Sequence, residues 1–201
     1  MESVPVRSAI KLFRKRGGVL RTMEALALGI HPRTLYRMRD ASIVEPVSRG
    51  VYRLTSLPPL REPDLATVAL RVPRAVVCLI SALSYHQITT QVPREIQIAL
   101  PRGTKSPVLQ YPPIRVFRFS GAALTAGIET HRLDGVAVRM YGPEKTVADC
   151  FRFRHKIGVD VAIEALQLAL KDKHITTARI LRYARICRVE RIMLPYLEAL
   201  Q

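Results

Sequence analysis

Apolar and charged positions follow a helical period over Val6 to Lys15. Ala9, Ile10, Leu12 and Phe13 form one stripe, and Arg7, Lys11, Arg14 and Lys15 form the other. Gly17-Gly18 ends this helix, where a left-handed cap costs glycine least. Thr22 is the expected N-cap of a second helix, Met23 to Leu28, with Glu24 in its first turn where an acid suits the helix dipole. Gly29 stops that helix, and Pro32 opens a third that runs to about Arg39. The period then becomes strand-like. Ile43–Val47, then Ser-Arg-Gly, then Val51–Leu54 predicts a hairpin turning at Gly50. The next stretch, TSLPPLREP from Thr55 to Pro63, is proline-dense and marks a linker.

Beyond the linker the pattern is mixed. Helices are expected over Asp64–Val72 and Arg74–Gln87, and strands over Glu95–Leu100 and Ile114–Phe119. Gly121–Gly127 suits a short helix. Ile128–Leu133 and Val136–Tyr141 flank Asp134-Gly135, a strong hairpin signal. Pro143 opens a helix through KTVADCFRFRHKIG, with Glu144 and Lys145 in its first turn and Asp149 expected to face solvent. Further helices are expected at Asp160–Lys171, Thr176–Ile186 and Val189–Leu200. The predicted fold is α+β: a winged helix-turn-helix over residues 1–56, a linker over 57–64, and a mixed α/β domain ending in helices over 65–201.

The second and third helices meet the demands of a helix-turn-helix, in which two helices cross steeply through a short turn. Ala25 is the small residue at the crossing. Gly29, four places on, can take the positive φ of the turn. Ile30, Leu35 and Met38 supply the inner apolar face. Glu24 departs from the pattern, since many such motifs are apolar there; Met23 is expected to fill that space. On a helical wheel Arg33, Arg37 and Asp40 lie opposite Leu35 and Met38, with Tyr36 beside them. Arg33 and Arg37, an i,i+4 pair, are the candidates for base edges in the major groove, where arginine grips guanine O6 and N7 together. Thr34 and Arg39 flank them and suit phosphates. Thr22 joins this set from the start of the first motif helix, and Arg49 from the tip of the wing.

Charge supports a polyanionic partner. The chain of 201 residues carries 32 Lys+Arg against 16 Asp+Glu. Residues 1–61 hold 12 against 4, half the excess in less than a third of the length. Hydrophobic residues make up 48%, enough for a packed core. No apolar run is long enough to span a membrane, and the N-terminal stretch lacks a signal-peptide core, so a cytoplasmic protein is expected. Cys78, Cys150 and Cys187 sit in apolar contexts without metal-ligand spacing and are expected to be small buried hydrophobes. The five histidines are scattered. No metal or cofactor is expected.

Catalytic patterns are weak. Glu95-Ile-Gln97 is a faint echo of a metal-dependent nuclease and lacks its lysine and acidic partner. Ser84 and His86 are two apart and do not face each other. No glycine-rich phosphate loop occurs. Arg179, Arg182, Arg185, Arg188 and Arg191 recur at threes, reading either as a solvated face or as a second polyanion surface for flanking DNA or RNA.

EALALGIHPRTLYRMRD followed by SRGVYRL, RAVVCLISALSYHQITTQVPREIQIALPRG, and VRMYGPEKTVADCFRFRHKIGVDVAIEAL together resemble the AbiEi family. The likeness extends over nearly the full chain and weakens after Thr176. It implies an antitoxin and transcriptional repressor of a type IV toxin–antitoxin system, linked to phage abortive infection. Such a protein binds inverted repeats in its own operator through the winged helix. It also opposes a nucleotidyltransferase-like toxin encoded beside it, without a stable complex. The resemblance supplies no catalytic residues. A winged-helix-targeted nuclease and a plain DNA-binding regulator are the alternatives.

Overall fold

The inward stripe of the first helix, α1 (Val6–Lys15), is made by Ala9 and Phe13, both fully buried. They meet Ala25 of α2 (Thr22–Ala27), Leu35 and Met38 of α3 (Pro32–Asp40), and Leu20, Val44 and Leu54 of a small sheet. That sheet holds β1 (Val19–Arg21), β2 (Val44–Ser48) and β3 (Val51–Leu54), in the order β1-β3-β2 and antiparallel throughout. This is a winged helix, as expected. The strand β1 escapes the sequence pattern because three residues carry no period; only pairing with β3 defines it. The computed structural model describes residues 5–58 and 60–200.

Each helix of this core is reversed by the same device. The amide of Gly29 donates to the Leu26 carbonyl and that of Ile30 to the Ala25 carbonyl, both at 2.9 Å, with Gly29 at φ 84°. This is a Schellman cap, which satisfies two carbonyls that the helix end leaves unpaired and returns an apolar residue to the core. Here that residue is Ile30, fully buried. Gly17 caps α1 in the same way, bonding Arg14 while Gly18 bonds Phe13. Ser42 caps α3, bonding Arg39 while Ile43 bonds Met38, at φ 54°. A serine there bears the steric cost of the left-handed region.

Past β3 the chain is held rather than loose. Arg53 is 6% exposed; it pairs with Glu45 across the hairpin and donates to the carbonyls of Leu57 and Pro58. Helix α4 (Pro63–Arg71) follows and packs on β2.

The chain divides into two compact units, Met1–Pro73 with Arg132–Val138, and Arg74–His131 with Arg139–Gln201. A five-stranded sheet has the order β6-β5-β4-β8-β7. Its strands are β4 (Val76–Val77), β5 (Ile96–Pro101), β6 (Ile114–Phe119), β7 (Ile128–Leu133) and β8 (Val136–Tyr141). β5 runs antiparallel to β4 and parallel to β6, and β8 is parallel to β4. Asp134 and Gly135 form the expected tight turn, both at positive φ, 48° and 86°. The single helix expected over Arg74–Gln87 is corrected: Val76–Val77 is a strand, and only Leu79–Tyr85 (α5) is helical. An apolar run buried on all sides has no period to separate strand from helix; pairing with β5 and β8 decided it.

The helices of the second unit are α5, α6 (Ala122–Thr125), α7 (Pro143–Arg152), α8 (Arg154–Ile157), α9 (Val159–Lys171), α10 (Thr177–Cys187) and α11 (Glu190–Ala199). Helix α7 is buried all round, from Glu144 through Phe151, with α5, α9 and α10 against it. Asp149 therefore does not face solvent. It is fully buried, and its Oδ2 lies 2.5 Å from the Nζ of Lys145, one turn earlier and equally buried. The Cys187 thiol donates to Asp149 Oδ1 at 3.2 Å. The Lys145 ammonium also lies 4.1 Å from the Tyr141 ring centroid and 5.2 Å from that of Phe119. Burial pushes the Asp149 carboxyl above its usual range, against the pull of Lys145. All three cysteines are buried and free, and burial holds their thiols protonated and inert.

Ser42→Gly relieves the left-handed strain and raises stability by about 0.5–1 kcal/mol, whereas Gly29→Ala lowers it by about 1–2 kcal/mol; urea denaturation of each variant reads both signs. Lys145→Met strands a buried carboxylate and costs about 3–5 kcal/mol, while adding Asp149→Leu recovers most of that loss. A double-mutant cycle on the same measurement checks the coupling.

Candidate nucleic-acid interface

Helix α2 begins one residue earlier than the pattern suggests. Its N-cap is Arg21, not Thr22, and the Arg21 amide donates to Glu24 Oε2 at 3.0 Å. That bond explains the acid in the motif: Glu24 turns outward to satisfy a free amide at the helix start. Met23 does not fill the space either, being 75% exposed. The inner face of α2 rests on Ala25 alone, which lets the following helix cross closely.

Helix α3 is capped by His31, whose Nδ1 accepts from the Arg33 amide at 3.2 Å, with Pro32 in the first turn. An imidazole accepting at Nδ1 carries its proton on Nε2 when neutral, so His31 presents a donor at the exposed start of the helix. Sequence reasoning passed over this residue because histidine is not among the usual N-caps.

Arg33 and Arg37 are exposed on the outer face of α3. Among the described residues neither guanidinium has an acidic partner. Arg39 differs. Its Nε and Nη2 donate to Asp40 Oδ1 at 2.9 and 2.8 Å, and its guanidinium lies 5.1 Å from the ring centroid of Tyr36, itself about half exposed. Asp40 raises the Arg39 pKa through that hydrogen bond and its charge. Thr34 is corrected: it is 4% exposed, four residues before buried Met38 and on the same side of the helix. Its side chain faces the core and does not reach a phosphate.

The wing is short. Ser48 pairs with Val51, so Arg49 and Gly50 alone make the turn. The Thr22 amide and hydroxyl both donate to the Gly50 carbonyl, at 2.8 and 3.2 Å. Thr22 thus fastens the start of α2 to the wing turn, and its one hydroxyl proton is committed. Arg71 Nη1 donates to the Arg49 carbonyl at 2.8 Å and fixes the turn from α4, while the Arg49 side chain remains exposed. Arg33, Tyr36, Arg37 and Arg39 are all exposed along α3, with Arg33 and Arg37 one turn apart and Arg39 against the Tyr36 ring. The arrangement holds Arg49 at the wing tip and turns Thr34 inward.

The five arginines near the C-terminal end do not form one row. Arg179 Nε bonds the buried carboxylate of Glu144 at 3.0 Å, and Arg185 Nε bonds Glu190 at 2.7 Å. Arg188 sits at the end of α10 in the left-handed region, φ 59°, where the chain turns into α11. Arg185, Arg188 and Arg191 line a shallow depression, while Arg182 is exposed along α10. A spacing of three drifts around a helix by about 60° per step, and the turn at Arg188 breaks the row outright.

Residues 7–55 match the family described as transcriptional regulator, AbiEi antitoxin. Among solved structures, the crystal structure of the RV2827C protein from Mycobacterium tuberculosis is similar. It shares 17% identity and a TM-score of 0.56 over 88% of this chain and 69% of that one, a likeness of fold. No curated protein sequence matches the chain. No helix among the described residues is long and apolar enough to cross a membrane. The matched span opens one residue into α1 and closes one residue after β3, enclosing the three helices and the wing. The likeness to the AbiEi antitoxin transcriptional regulators therefore rests on residues 7–55, the three helices and the wing.

Proposed function

We propose that this chain represses its own operon by binding inverted repeats in the operator through α3 and the wing. The observation that carries the reading is the placement of Arg33 and Arg37, exposed and one turn apart on the outer face of the second motif helix. Neither guanidinium has an acidic partner among the described residues, whereas Arg39 on the same helix is held by Asp40. Two guanidiniums one turn apart suit guanine edges in the major groove. Arg39 and Tyr36 flank them, and Arg49 and the His31 Nε2–H reach phosphates on either side. Thr22 and Thr34 act beneath the interface as supports.

The proposal extends to the second role. The chain is the antitoxin to a nucleotidyltransferase-like toxin encoded beside it, in a type IV, abortive-infection system, and acts without a stable complex and without catalysis. Cytoplasmic location goes with that role. The faint nuclease echo supports the non-enzymatic reading. Glu95 pairs with Arg115 at 3.6 Å, and the Gln97 side chain accepts from the Ile80 amide at 2.9 Å, so both are occupied by the fold.

Arg33→Ala with Arg37→Ala is expected to lower operator affinity by on the order of 100-fold or more, at about 1–3 kcal/mol for each lost base contact. The circular-dichroism spectrum stays unchanged. Fluorescence anisotropy with the native promoter region measures this, and unaltered affinity sinks the assignment. Arg49→Ala weakens operator and unrelated duplex alike and reduces the log–log salt slope by about one. Co-expression with the neighbouring gene product tests the second role: the Arg33/Arg37 variant continues to protect cells if protection does not pass through DNA.

A further inference from the structure

Two histidines and a glutamate far apart in sequence converge in the second unit. His86 is the C-cap of α5, and Glu129 and His131 stand two apart on the edge strand β7 and so share a face. All three are partly buried, and one ligand atom from each lies within 4.8 Å of the other two. His131 Nε2 is 3.2 Å from Glu129 Oε2, but the alignment is not that of a hydrogen bond, and this buried nitrogen has no other partner. Among the described residues the Glu129 carboxylate has no lysine or arginine partner.

The surroundings hold the three groups in place. His86 Nε2 lies 2.9 Å from the Tyr141 carbonyl, which can only accept, so Nε2 carries the proton and Nδ1 keeps its lone pair. A backbone carbonyl on one ring nitrogen is the usual orienting partner of a metal-binding imidazole. The Tyr85 ring stands edge-on to both imidazoles, with centroids at 5.4 and 5.0 Å. Gly142 leaves room for the carboxylate: a Cβ there falls 2.4 Å from Glu129 Oε1.

We propose that His86, Glu129 and His131 form a binding site for a divalent first-row transition metal ion, zinc in the cell, with the fourth coordination position left to water. Imidazole donors exclude magnesium and calcium, and two imidazoles with one carboxylate suit zinc. Ligands of a tetrahedral zinc ion stand about 3.3 Å apart for bonds near 2.0–2.1 Å. The three groups therefore draw together slightly as the ion enters, a movement that rotation of Glu129 and His131 on the edge strand supplies. Bound metal pins the end of α5 to β7.

Cobalt tests the site directly. The full-length chain, purified without a histidine tag and stripped with chelator, is titrated with Co²⁺ and followed by visible absorption, then back-titrated with Zn²⁺. One equivalent is expected to produce intense d–d bands that zinc abolishes. Glu129→Gln and His131→Gln, confirmed as folded by circular dichroism, are each expected to weaken binding by at least about 100-fold. Zinc raises the melting temperature of the parent chain and leaves that of the variants unmoved. Absence of saturable binding overturns the proposal. So does binding that persists unchanged in both variants, which marks a site elsewhere on the chain.

Discussion

A helix leaves its last carbonyls without partners, and a short helix in a small core must also turn within a residue or two. One solution recurs through this molecule. A residue in the left-handed region sends two amides back to the helix end, and an apolar residue then drops into the core. Gly29 with Ile30 and Ser42 with Ile43 build the first unit. Gln87 with Ile88 and Arg188 with Val189 repeat the device in the second. Remove it from α2 and α3 loses its crossing over Ala25, and with it the outward presentation of Arg33 and Arg37. The same turn at the end of α5 places His86. Both candidate sites therefore depend on where a helix is made to stop.

Once the helices are placed, charge divides the arginines by task. Two of those matched to acids serve structure: Arg53 anchors the segment after β3, and Arg179 meets a carboxylate buried at the start of α7. Those left unmatched on α3 are available to a polyanion. Neither a strongly basic composition nor the lack of an acidic partner singles these groups out, since Arg182, Arg188 and Arg191 are exposed and equally unmatched among the described residues; their place on the second motif helix does. The second unit makes the opposite use of charge. Lys145 and Asp149 neutralise each other in the middle of a buried helix, at a desolvation cost that only close contact and the surrounding Tyr141, Phe119 and Cys187 offset.

Much of the first unit was legible residue by residue. The bounds of α1, the stop at Gly29, the start at Pro32, the hairpin at Gly50 and the inner face of Ala25, Leu35 and Met38 all depend on local backbone preference and a clean amphipathic period. Local preference and structure part where the deciding contact is not local. The Thr34 hydroxyl suits a phosphate by chemistry, but its i,i+4 relation to Met38 places it on the buried side. Met23 is apolar yet exposed, and Glu24 is drawn to the helix start by the Arg21 amide. Val76–Val77 is a strand without a strand's alternation, since a run buried on every face has no period.

The sequence by itself determined the local order of helices and turns and the basic outer face of α3, because these follow from the choices of neighbouring residues. Tertiary structure alone decided the burial of α7, the pairing of Lys145 with Asp149, the division of the C-terminal arginines, and the meeting of His86 with Glu129 and His131. Each of those depends on groups brought together across the chain, where no spacing along the sequence measures the distance between them.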